Sequence, residues 1–126
     1  MEPKSKIHSF KELIVWQKSM DLVEAIYLAT AKLPQSEQYG LVSQMRRCAI
    51  SIPSNIAEGK KRGTRKDFTQ FLRIADGSAA ELETQVLIAQ RLYRAVDFSG
   101  PKSLLDEVQR MLSVMIKKMS EPAGSL

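Results

Sequence analysis

The chain has 126 residues and a mass of 14.2 kDa; 44% of its residues are apolar, and it carries a formal charge of +5 with an isoelectric point near 9.5. That suffices for one hydrophobic core and one compact domain. The single cysteine, Cys48, excludes an internal disulfide, and the single histidine, His8, leaves little for a zinc site. No apolar run reaches the roughly 18 residues of a membrane span, and MEPKSKIHSF has no apolar signal core. A soluble cytoplasmic protein without membrane partner or cofactor is the expectation.

Taken in chain order, the apolar spacing predicts helix almost throughout. Ser9 followed by Glu12 reads as a capping box, in which hydroxyl and carboxylate each satisfy a free backbone N–H, so a helix is expected from near Phe10. Leu13, Trp16, Met20, Val23 and Tyr27 continue it until Leu33-Pro34, since the residue before proline is pushed out of the α region. A second helix is expected from about Ser36 to Lys61. Its stripe Leu41, Met45, Cys48, Ile52 and Ile56 keeps register on both sides of Pro53, which implies one helix kinked there rather than a loop.

Gly63 suits the left-handed residue after a helix end and Thr64 the N-cap of the next, so the connection is expected to be a tight turn. The third helix carries Phe68, Leu72, Ala75, Ala79, Leu82, Val86, Ala89 and Tyr93, with Gly77 as a close-packing position or, alternatively, a break at Asp76-Gly77 with Ser78 and Glu81 as a fresh capping box. After Ser99-Gly100-Pro101 the fourth carries two rows, Leu104, Val108, Met111, Met115, Met119 and Leu105, Leu112, Ile116. The fold expected is all-α, an up-down-up-down antiparallel four-helix bundle over residues 10–119, preceded by an arm (1–9) and followed by a flexible tail (120–126). Apolar surplus on the first and fourth helices points to a homo-oligomer.

Charge is unevenly placed. Arg46 to Arg73 holds eight cations and two anions, a net of +6, while the remaining residues sum to −1. The candidate nucleic-acid-binding residues are Lys60, Lys61, Arg62, Arg65 and Lys66, joined by Arg46 and Arg47. Lys60, Lys61 and Arg62 also suit a helix C-terminus, where cations relieve the macrodipole. Arg65 and Lys66 do not, because they fall in the first turn of the third helix, where positive charge is disfavoured and free N–H groups attract anions. Replacing both with Glu is therefore expected to leave the fold unharmed. No aromatic outside the helical stripe interleaves these cations, so base-specific readout is not expected.

An enzyme is not expected. A di-iron bundle needs two Glu-x-x-His pairs, no histidine is placed to serve a nucleophile, and GKKRGT lacks the order and preceding strand of a phosphate-binding loop. Cys48 lies on the apolar face and reads as an inert buried thiol.

The segments FKELIVWQKSMDLVEAIY, YGLVSQMRRCAISIPSNIAEGKKR and FLRIADGSAAELE resemble those of small four-helix-bundle proteins encoded in intervening sequences of bacterial large-subunit ribosomal RNA genes. The likeness runs from Phe10 to about Tyr93 and is most specific at Ser51-Ile52 and Asn55-Ile56-Ala57-Glu58-Gly59; beyond Tyr93 it is only that of a helix. The resemblance implies a homopentamer without established enzyme activity. It also implies distant kinship with the accessory variability protein of diversity-generating retroelements, a basic pentamer that binds nucleic acid and a reverse transcriptase. Two functional readings follow: sequence-tolerant binding of RNA or DNA phosphates through the basic turn, or an oligomeric scaffold for another protein, with no nucleic acid involved.

Overall fold

A computed structural model describes residues 9–121; residues 1–8 of the expected arm and 122–126 of the expected tail lie outside the described residues. Four helices, α1 (Ile14–Thr30), α2 (Leu41–Arg62), α3 (Arg65–Leu92) and α4 (Ser99–Ser120), account for most of the chain, and no strand occurs among the described residues. Each helix packs on its neighbour in sequence, and α1 packs on α4; the backbones of the diagonal pairs stand farther apart. That closed square, joined by short connections, is the expected antiparallel up-down-up-down bundle. Its centre holds Leu22 and Ile26 of α1, Met45, Ile52 and Ile56 of α2, Leu72 and Leu82 of α3, and Leu105 and Leu112 of α4, all fully buried.

The helix starts differ from expectation. The Ser9–Glu12 capping box forms, but it caps a 3-10 turn at Phe10–Glu12; Leu13 is extended, and α1 begins at Ile14. The turn folds the chain back, so that Phe10 meets Trp16 edge-on at 5.4 Å and Gln17 Nε2 donates to the Lys11 carbonyl at 2.8 Å. A continuous helix would place positions 10 and 16 on different faces. Likewise Gln35–Glu37 is a 3-10 turn and α2 begins at Leu41, not near Ser36. Glu37 Oε1 accepts from the Leu41 backbone N–H at 3.3 Å while Oε2 accepts from the Tyr93 hydroxyl, which raises the Tyr93 pKa. One carboxylate thus caps α2 and ties it to the end of α3.

Helix α2 runs through Pro53 without interruption, with Ile52 and Ile56 buried on either side of it. Packing outweighs the lost hydrogen bond, which costs roughly 3 kcal/mol in an isolated helix. Helix α3 is also unbroken, which removes the alternative break at Asp76-Gly77. Gly77 is not a close-packing position. It is exposed, and a methyl group built there would meet nothing within 4 Å. Gly59 is the tight position: a Cβ there would stand 2.6 Å from Phe71 Cβ and 3.2 Å from Phe68 Cδ1. The distinction is testable, since Gly77→Ala should stabilise the protein by about 0.5–1 kcal/mol in chemical denaturation through helix propensity alone.

Candidate nucleic-acid interface

The antiparallel order brings the end of α2, the start of α3 and the end of α4 to one end of the bundle. Two residues turn the chain there as the sequence requires. Gly63 takes the left-handed conformation, φ 86°, and the Thr64 hydroxyl accepts from the Asp67 N–H at 3.1 Å. Lys60, Lys61, Arg62, Arg65 and Lys66 are thereby gathered in one place. Helix α4 adds Lys117 and Lys118, which stand beside Arg65 because Arg65 hydrogen-bonds the Lys118 carbonyl. The sequence reading missed these two, being confined to one window, although the up-down topology itself returns the end of α4 to this turn.

The gathered side chains are not equivalent. Lys60 lies over the Phe68 ring at 5.7 Å, and Arg62 lies over Phe71 at 5.1 Å while pairing with Glu58 at 3.0 Å. Their stems cover apolar surface, and their charges remain at the rim. Arg65 is engaged more fully. Its guanidinium donates to the carbonyls of Lys118 (2.9 Å), Met119 (3.0 Å) and Glu121 (3.4 Å), at and just past the end of α4, where backbone acceptors run short of helical partners. The expectation that Arg65 breaks a local rule without compensation is therefore corrected: the negative end of α4 offsets the positive start of α3. Arg65→Glu would set a carboxylate against those carbonyls, so the fold would not be indifferent to it. Arg73 reinforces the junction by donating to Ser120 Oγ at 2.9 Å.

Lys61 and Lys66 are exposed, and their side chains make no ion pair or hydrogen bond among the described residues; the same holds for the side chains of Lys117 and Lys118. Arg46 and Arg47 are not part of this group. Arg46 sits fourteen residues before Lys60, about 20 Å along the helix axis. It closes the end of α1, donating to Thr30 Oγ1 at 3.0 Å and the Tyr27 carbonyl at 3.2 Å, with its guanidinium 4.3 Å from the Tyr27 ring centroid. Arg47 lines a separate groove between α2 and α3.

The model of the family described as 23S rRNA-intervening sequence protein matches residues 11–114. The chain belongs to that family. The match extends past Tyr93 into α4, further than the quoted segments reach. A solved structure from Bacteroides thetaiotaomicron, a protein of unknown function from the S23 ribosomal protein family, is similar with a TM-score of 0.68 and 22% identity. The likeness covers 86% of this chain and 100% of that one, and at this identity it establishes the shared fold. The sequence has no match among curated proteins.

Elsewhere in this member of the 23S rRNA-intervening sequence family the chemistry is sparse. Among the described residues no group of His, Cys, Asp and Glu has the arrangement to hold a metal ion, and His8 lies outside them. Cys48 is buried with its thiol donating to the Ser78 carbonyl at 3.0 Å; burial, and then the Glu81 carboxylate nearby, push its pKa up to about 12. A thiol so protonated is a poor nucleophile. No helix among the described residues is long and apolar enough to cross a membrane.

Proposed function

We propose that this protein is a non-enzymatic homo-oligomer that holds RNA or DNA phosphates, without regard to sequence, on the basic end of each bundle. The observation that supports this reading most is the convergence of seven cations from three helix ends, four of which, Lys61, Lys66, Lys117 and Lys118, have no protein partner among the described residues. Unpaired lysines on one end of a protein with net charge +5 make a phosphate-attracting surface. The roles of Arg65 and Arg46 at helix ends narrow the site to these lysines, with Lys60 and Arg62 at its rim.

Exposed apolar side chains support assembly, on the first helix as the sequence pointed, but on the third more than on the fourth. Helix α1 leaves Ile14, Met20 and Leu28 exposed, α4 only Val114, and α3 contributes Ile74, Leu87, Ile88 and Leu92. Exposed apolar side chains of this kind are a usual basis of a symmetric oligomer, and the family resemblance favours five subunits, a ring in which two different faces of each bundle would meet.

Filter binding of the purified protein to single-stranded RNA and duplex DNA tests the reading. With four phosphate contacts per subunit, raising salt from about 50 to 200 mM should weaken binding by about 10²-fold on either polymer. Absence of binding at low salt would leave the scaffold for a protein partner in its place, and a monomeric mass by light scattering would remove the assembly.

A further inference from the structure

A groove of about 500 Å³ runs between α2 and α3, away from the basic end, and its walls are chemically unequal. Its floor is complete: the Ser51 and Ser78 hydroxyls bond each other at 2.8 Å, and the Cys48 thiol and the Asn55 amide are spent on the Ser78 and Ser51 carbonyls. Its walls are not. Arg47 on α2, a donor only, and Glu81 on α3, an acceptor only, both line it and form no ion pair with each other or with any other described residue; the Glu81 carboxylate has the Cys48 thiol beside it, and one such partner does not fill the acceptor positions of its two oxygens. One turn further along α3, Gln85 lines the groove at 6% exposure with an Oε1 that accepts no hydrogen bond. A buried acceptor left unpaired is costly, and it is uncommon in a settled structure. At the mouth stands Tyr39, 91% exposed, which offers a ring face to a planar ligand.

We propose that this groove takes an unpaired guanine base, either of a free nucleotide or of a single strand. The inference rests on the nucleic-acid reading above only for the second of these sources. The choice of base follows from the walls. A carboxylate needs adjacent donors, and guanine N1–H and N2–H₂ supply them. Adenine and cytosine place a ring acceptor beside their amino group, and uracil flanks its one N–H with two carbonyls, each of which a carboxylate repels. The opposite edge of guanine presents O6 and N7, the acceptor pair that an arginine fork recognises. The second N2 hydrogen is then available to Gln85 Oε1, the acceptor that the protein leaves unpaired. Unpaired bases are read in this way, by edge hydrogen bonds together with stacking on an aromatic ring. Arg47 lies thirteen residues, about 20 Å, from Lys60 along α2, a gap that a single strand spans in a few nucleotides.

Calorimetric titration of the intact protein with GMP, AMP, CMP and UMP is the test. GMP should bind at least tenfold more tightly than the other three; Arg47→Ala should weaken it at least tenfold, and Glu81→Gln should abolish the preference. Gln85→Leu keeps the test meaningful against misfolding: it should lose GMP binding while the unliganded protein melts at the same or a higher temperature, because the unpaired acceptor is gone. A second arm compares an adenine-only RNA strand with one carrying a single guanine. A guanine preference in the strand that Glu81→Gln removes supports the polymer as source, and GMP binding without RNA binding supports the free nucleotide and removes the phosphate reading. Equal affinity for all four nucleotides, or none for GMP, overturns the groove proposal, and salt-sensitive RNA binding in the same experiment would leave the basic end standing without it.

Discussion

Gly59→Ala should destabilise the bundle by about 1–3 kcal/mol, as a lower midpoint in chemical denaturation followed by circular dichroism. Alanine is the better helix former by about 1 kcal/mol, so a loss means that the interface between α2 and α3 overrules local preference. The cause is geometric: the new methyl would stand 2.6 Å from Phe71 Cβ, an atom fixed to the α3 backbone that no rotamer change can withdraw. Relief requires the two helices to separate, and their contact is the most extensive in the molecule. With Gly77→Ala the same change has the opposite sign, since open space surrounds that position. Two stabilising substitutions would show that α2 and α3 do not approach so closely.

That pair of glycines shows where the sequence stops being legible. Both lie inside helices, and the pattern says only that each lacks a side chain; which one faces a neighbour depends on the rotation of α2 against α3. Gly77 reads as the close-packing position because it lies inside a long apolar stripe, whereas Gly59 lies beside Lys60 and Lys61 and carries no such signal. Periodicity served better where the signal was local. The register across Pro53 and the conformations of Gly63 and Thr64 depend on residues within a turn or two, and all appear as read. The starts of α1 and α2 were misplaced because Phe10 and Glu37 are claimed by Trp16 and Tyr93, contacts that no capping rule contains.

The site follows the same division. The basic turn was visible as a run of charge, but the role of Arg65 depends on carbonyls more than fifty residues away, and Arg46 on the end of α1. A cation at a helix start looked unexplained only while its partner was out of view. Lys117 and Lys118 were legible in principle from topology, and the groove with Arg47, Glu81 and Gln85 was not, since its residues belong to two stripes whose relative rotation only the structure supplies.

Charge reversal at Lys61 and Lys66 separates binding from folding. Lys66→Glu places a carboxylate in the first turn of α3 and should gain about 0.3–1 kcal/mol from the helix dipole, and Lys61→Glu at the end of α2 should lose a similar amount, so stability is expected to stay level. Neither lysine has a protein partner among the described residues for the change to break. Binding should respond differently, with affinity for unrelated sequences falling at least about tenfold at low salt, because two phosphate contacts become repulsions. The most direct measurement is the slope of log affinity against log salt for duplex DNA, compared between the parent protein and the double variant. The account predicts a slope shallower by about 2 in the variant, at unchanged thermal stability; an identical slope and affinity in the two proteins would contradict it.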